Sequence, residues 1–216
     1  MEKCLSFLRD LKKNNNREWF QANRIRYEEC RAEHLEFIET LISGAGLFDP
    51  ELGPVNPKST VFRINRDIRF SKDKSPYKTH FGAFINRYGR SLEKAGYYFH
   101  LEPGGSFIGG GIYRPGSDVL KKIRQEIFED PEEFSGIVRE KKFREFFGGL
   151  SDDRLVNAPK GYPKDFEYID LLKYKSYMVS RELEDEQVTS DGLADIVLKG
   201  MRIMYPMIRF VNNALE

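Results

Sequence analysis

The sequence predicts an α+β fold: a mostly antiparallel central sheet of about five strands, flanked by N-terminal, middle and C-terminal helices. Two observations predict it. Apolar residues recur at helical spacing near the start, in the middle and at the end of the chain, and at alternate positions in between. The resulting order of helices, strands, helices, strand and helix also lacks the regular strand–helix alternation of parallel α/β proteins.

Leu5, Leu8 and Leu11 set the first helix, over residues 4–12. Asn14, Asn15 and Asn16 end it, because asparagine competes for its own backbone and favours caps and turns. Asn16 is the expected N-cap of a long second helix, residues 17–43. Glu18 suits its positive end, and Trp19, Phe20, Tyr27, Leu35, Ile38 and Leu41 form its buried stripe. Trp19 is expected as a core anchor. Residues 47–58 carry three prolines and read as an ordered loop. Strands are expected at 61–70, 80–88, 96–102 and through SFIGGGIY, with Pro103-Gly104-Gly105 turning the chain before the last of these. Ser117 and Asp130-Pro131 open two further helices. A strand at 174–182 and a final helix to about Ala214 complete the pattern, with Pro206 expected to kink or split that helix.

The chain of 216 residues carries 35 Lys+Arg against 34 Asp+Glu, so no global field draws it to nucleic acid or to membranes. Any anion-binding surface must be local. Two cysteines, Cys4 and Cys30, have no metal-ligand spacing and suit a reducing, cytoplasmic compartment. The opening residues are charged too early and too often for a signal peptide, and no apolar run reaches the roughly 18 residues of a membrane span. The aromatics, 13% of the chain, are read chiefly as a ring-packed core.

One segment departs from this balance. Between Lys58 and His80 lie seven cations, Lys58, Arg63, Arg66, Arg69, Lys72, Lys74 and Lys78, against only Asp67 and Asp73. Strand parity puts Arg63 and Arg69 on the face opposite Phe62, Ile64, Ile68 and Phe70, but puts Arg66 on the apolar face. A guanidinium there must be paired, because a stranded buried charge costs several kcal/mol. Either an internal acid such as Asp67, Glu102 or Asp170 meets Arg66, or the segment binds an anion. In the second case Arg63, Arg66, Arg69, Lys72, Lys74, Tyr77 and Lys78 are the candidate ligand-binding residues, since an arginine fork matches phosphate or carboxylate.

Four stretches, LxxLKKNNNREWFQANRxxY (Leu8 to Tyr27), FRINRDIRFSKDKSPYKTHFG (Phe62 to Gly82), GYYFHLEPGGSFIGGGIYRP (Gly96 to Pro115) and LLKYKSYMVSRELEDEQV (Leu171 to Val188), together resemble the domain of unknown function 2461 family, a mostly bacterial group. The resemblance runs in order over nearly the whole chain, and it implies one full-length domain, residues 1–216. It implies no activity and no cofactor, so the chemistry must come from the residues.

His100 and Glu102 lie two apart on a strand and share a face with Tyr98, a spacing that offers two metal ligands or an acid and a base. His80 starts a neighbouring strand and can converge on them. His80, Tyr98, His100 and Glu102 are therefore the catalytic candidates. No third ligand is patterned in the sequence, so no metal is expected. Gly109-Gly110-Gly111 inside a strand marks a bulge or a close backbone approach, the bulge being preferred. The chain contains no GxxxxGK[ST], GxGxxG after a strand, GxSxG, HExxH or CxxC, which argues against the common nucleotide hydrolase, dehydrogenase, esterase and zinc motifs.

Three functions stay open. The first is binding of, or action on, a small anionic ligand, a phosphorylated one being preferred, through residues 63–78. The second is a nucleic-acid-binding module, disfavoured by the neutral total charge. The third is a protein-interaction or structural domain. The sequence sets neither the oligomeric state nor whether the protein is an enzyme.

Overall fold

The computed structural model describes residues 1–89 and 93–216. In chain order the elements are α1 (Glu2–Lys13), α2 (Arg17–Ala22), α3 (Arg24–Ala45), α4 (Pro57–Thr60), β1 (Phe81–Ile85), β2 (Gly96–Leu101), β3 (Ser106–Ile112), α5 (Ser117–Glu129), α6 (Pro131–Arg139), α7 (Lys141–Phe147), α8 (Ile169–Leu172), β4 (Tyr177–Leu183), α9 (Asp185–Thr189) and α10 (Leu193–Asn213). The fold is α+β with an antiparallel sheet, ordered β1-β2-β3-β4. Among the described residues the sheet has four strands, not about five.

The missing strand is the one expected at 61–70. Here only the isolated bridges Val61–Ala83 and Asn65–Tyr77 form. Asp67 accepts a hydrogen bond from the backbone N–H of Arg69 (3.2 Å), and Asp73 accepts one from that of Ser75 (2.9 Å). Such Asx turns take backbone donors that a ladder needs, and Pro76 has no N–H to give. The expected parity nevertheless persists from Phe62 to Asp67. Arg63, Asn65 and Asp67 are exposed, whereas Ile64 is buried and Phe62 and Arg66 are half-buried. It fails at Phe70, which is 97% exposed.

The pairing of this segment also skips. Lys78 N donates to Ile64 O (2.8 Å) and Phe62 N donates to Gly82 O (2.9 Å), so Thr79, His80 and Phe81 stand opposite Arg63 alone. Such a bulge bends the chain and re-aims its side chains.

The long helix expected over 17–43 is two helices. Asn23 breaks it by donating its side-chain amide to Trp19 O (3.0 Å), a local bond that competes with the helical ladder. Asn16 caps α2 as expected, accepting from Trp19 N (2.9 Å). The other two asparagines are also bonded. Asn14 Nδ2 donates to Asp10 O (3.0 Å), while Asn15 donates to Tyr77 O (2.9 Å) and accepts from Tyr77 N (3.1 Å), like a short strand partner. Within 47–58, Asn56 caps the short α4 with Pro57 in its first turn. Asp130 caps α6 ahead of Pro131. α10 runs through Pro206 without being split.

The chain divides into two compact units. The first comprises Met1–Arg90, Tyr98–Ile108 and Glu182–Leu198; the second comprises Ser91–Tyr97, Gly109–Arg181 and Lys199–Glu216. In the first, Phe7, Leu8, Leu11, Ile38, Phe81 and Phe99 are buried, and α3 lays His34 against the rings of Phe81 and Phe99. In the second, Phe134 packs on Tyr177 and Phe210. There the triple glycine meets close backbone and side-chain approaches. A Cβ at Gly110 would stand 2.9 Å from Gly96 O and closer still to Met204 Sδ, and one at Gly109 would stand 2.7 Å from Val179 O. Gly111 has φ +115°, a conformation that L side chains rarely adopt.

Candidate functional site

Two groups of polar side chains in the first unit carry the candidate chemistry. The first is a cleft of about 430 Å³. One wall is a face of α3 spanning three turns, Arg24, Tyr27, Glu28, Arg31 and His34, which helical spacing aligns. Lys58 and Arg63 belong to the same lining. Arg24 is paired with Glu28 (2.8 Å). Arg31, Lys58 and Arg63 form no salt bridge with a carboxylate among the described residues. His34 is 2% exposed, and neither ring nitrogen has a hydrogen-bond partner. Burial holds its pKa down to about 4, so the ring is neutral at pH 7.

The second group stands on the bulge and on β2. Tyr98 and His100 share a face of β2, as the alternation requires, and the His100 ring stacks on Phe107 (4.7 Å). His100 Nδ1 lies 3.0 Å from Tyr98 Oη, and Nε2 lies 3.2 Å from Glu102 Oε2. An ionised carboxylate only accepts, so the Nε2–H donates to Glu102 and Nδ1 accepts the tyrosine proton. Thr79 Oγ1 donates to Glu102 Oε1 (3.3 Å), and Lys12 Nζ stands 3.9 Å from the same oxygen. The bulge brings the His80 ring to 4.4 Å from that of His100. The ligand atoms of His80, His100 and Glu102 all lie within 4.8 Å of one another.

Burial lowers the pKa of both histidines, that of His80 to about 4 with a further contribution from His100, against the opposing pull of Glu102. Burial also pushes Tyr98 up to about 12. Gly82 makes room for this tyrosine, since a Cβ there would stand 2.6 Å from Oη. His80 opens on a second cavity of about 360 Å³, which Lys12, Arg66 and Lys78 also line.

The cations of the 63–78 segment do not converge. Arg63 lines the first cleft and Arg66 the second. Arg66 is bound by Asp73, not by Asp67, Glu102 or Asp170, and its Nη1 also donates to Ser75 O (3.2 Å). Arg69 is exposed and paired with Asp67 (2.7 Å). Lys72 is exposed, and Lys74 Nζ donates to Ile68 O (3.0 Å). Tyr77 is a core residue, stacked on Phe20 at 3.9 Å between ring centroids. Lys78 Nζ sits 5.4 Å from the centre of the Phe62 ring. Arg24, Arg31 and His34 were not among the sequence candidates. The signal was present in their positions, which follow one another at steps of seven and three residues along one helix face.

A sequence model described as a conserved hypothetical protein (DUF2461) matches residues 3–210. The chain belongs to the DUF2461 family. No curated protein and no solved structure matches it. Among the described residues, no helix of this DUF2461 chain is long and apolar enough to cross a membrane.

Proposed function

We propose that the protein binds a small anionic, phosphorylated ligand in the cleft between the Arg24–His34 face of α3 and residues 58–65. The observation that carries this reading is the set of three cations, Arg31, Lys58 and Arg63, lining one cavity without a carboxylate partner. Cations that form no salt bridge around a concave wall favour an anion, and two of the three are arginines whose planar forks match phosphate oxygens. The unpartnered imidazole of His34 in the same wall supplies a neutral polar group. A cavity of about 430 Å³ suits a small molecule better than a nucleic-acid duplex. The two free, buried thiols support a reducing, cytoplasmic setting.

The test is thermal denaturation of the protein with inorganic phosphate, pyrophosphate, sugar phosphates and nucleotides. The reading expects at least one of them to raise the melting temperature of the wild type and to leave that of Arg63→Ala unmoved. A panel that shifts nothing overturns it.

A further inference from the structure

We propose that His80, His100 and Glu102 form a binding site for one divalent first-row transition-metal ion, with Zn²⁺ as the best match. The site is separate from the Arg31–Arg63 cleft, and the inference does not rest on the anion-binding reading.

The donor set is two imidazoles and one carboxylate, the composition of many three-ligand zinc centres. Its atoms already lie close together. His100 Nε2 and Glu102 Oε2 are 3.2 Å apart, and the full set falls within 4.8 Å. Two ligands about 2.1 Å from a tetrahedral ion stand roughly 3.4 Å apart. The first pair is thus spaced for coordination as it stands, and a rotation of the His80 ring closes the rest.

The surroundings fit as well. Neutral imidazole is the form that coordinates a metal. Among the described residues no hydrogen bond of His80 competes with coordination. The residues behind the donors are those that metal ligands need to hold their orientation. A cation between Nε2 and Oε2 moves the His100 proton to Nδ1, where Tyr98 Oη, 3.0 Å away, accepts it. Thr79 holds the far oxygen of Glu102. His80 borders an open cavity, so the ion has an entry path and room for a fourth ligand. Lys12, Arg66 and Lys78 line that cavity, so the fourth ligand is water or an anion.

The experiment uses the untagged full chain, stripped of metal and dialysed against buffered Zn²⁺, with the bound metal measured by elemental analysis. Co²⁺ is used in parallel for its visible absorption. The wild type is expected to take up one ion per chain in the micromolar range, with a Co²⁺ spectrum of low coordination number. His80→Ala, which removes a half-buried ring outside the core, is expected to weaken binding at least tenfold while leaving the circular dichroism unchanged. His100→Ala is expected to do the same. Failure of the wild type to bind one equivalent overturns the proposal. So does undiminished binding by a folded His80→Ala, or binding that survives His80→Ala and is lost in Cys4→Ser, which would put the ion at the thiols of α1 and α3.

Discussion

Arg66 and Asp73 clasp the two ends of the loop between them. The Arg66 guanidinium meets the Asp73 carboxylate and donates to Ser75 O, while Asp73 Oδ1 accepts from the hydroxyl (2.6 Å) and the backbone N–H (2.9 Å) of Ser75. The bonds from Ser75 and then the contact with Arg66 hold the Asp73 carboxyl well below the usual carboxylate range. An acid whose pKa is depressed on folding contributes stability above its unfolded value and loses it only as pH falls through the folded one. The clasp is therefore expected to outlast the pH at which an unpaired aspartate takes up its proton.

Arg66→Ala is expected to open this loop and leave the rest of the fold intact. Lys72 lies between Arg66 and Asp73, Lys74 lies between Asp73 and the Ser75 carbonyl that Arg66 also holds, and both lysines are exposed. Limited trypsin digestion should therefore cut the variant there several-fold faster than the wild type. Equal cleavage rates would show that the two Asx turns hold the loop without the arginine.

Gly110→Ala is expected to destabilise the protein by about 1–3 kcal/mol, the usual cost of forcing a methyl into a filled interior. The added carbon would overlap Met204 Sδ, the near end of a contact that also includes Ile208 Cδ1 at 3.3 Å. Met204→Ala alone should cost about 2–5 kcal/mol by opening a cavity. The double variant should cost less than the sum of the two, because the alanine methyl occupies vacated space. Chemical denaturation of the four proteins checks the coupling, and strict additivity would refute it.

The periodicities carried most of the fold. Helical spacing located α1, α5 and α10, and alternation located β1, β2 and β3, because burying one face imposes these patterns directly. The errors arose where side chains capture backbone groups. Asn23 took a helical carbonyl and split one helix into two, while Asp67 and Asp73 took the donors of an expected strand. These bonds depend on local geometry, and the hydrophobic pattern does not record them. The candidate site was legible in the same proportion. The shared face of Tyr98 and His100 follows from strand parity. The arrival of His80 depends on a bulge, and the cleft lined by Arg31 and Arg63 depends on which helix face meets residues 58–65.

Reversing one charge separates a local anion site from a diffuse basic surface. Arg63→Glu is expected to abolish any melting-temperature rise produced by a phosphorylated ligand, since it places a carboxylate among the Arg31 and Lys58 cations. Stability without ligand should stay near that of the wild type, because Arg63 is exposed. Arg69→Glu serves as the control, on an exposed arginine already paired with Asp67, and should leave the ligand response unchanged. Thermal denaturation of both variants with the ligand that stabilises the wild type decides between a local site and a diffuse basic surface. Equal losses in the two variants would favour the diffuse surface.

His34 should give the protein an acid limb in its stability. Burial against Phe81 and Phe99 lowers its pKa from 6.5 to about 4, and no other group contributes to the shift. Between these values the unfolded chain binds a proton that the folded chain refuses, so stability rises with pH. The contribution is fully present above about pH 6.5 and is lost as pH falls toward 4, on the order of 3 kcal/mol in all. Below that, both states carry the proton and the difference is constant. His34→Phe keeps a ring against Phe81 and Phe99 but removes the titrating group and two unpartnered nitrogens. The variant is expected to lose most of the decline between pH 6.5 and 4 in urea denaturation, and to be at least as stable as the wild type at pH 5. A decline as steep in His34→Phe as in the wild type would assign the acid limb to other groups.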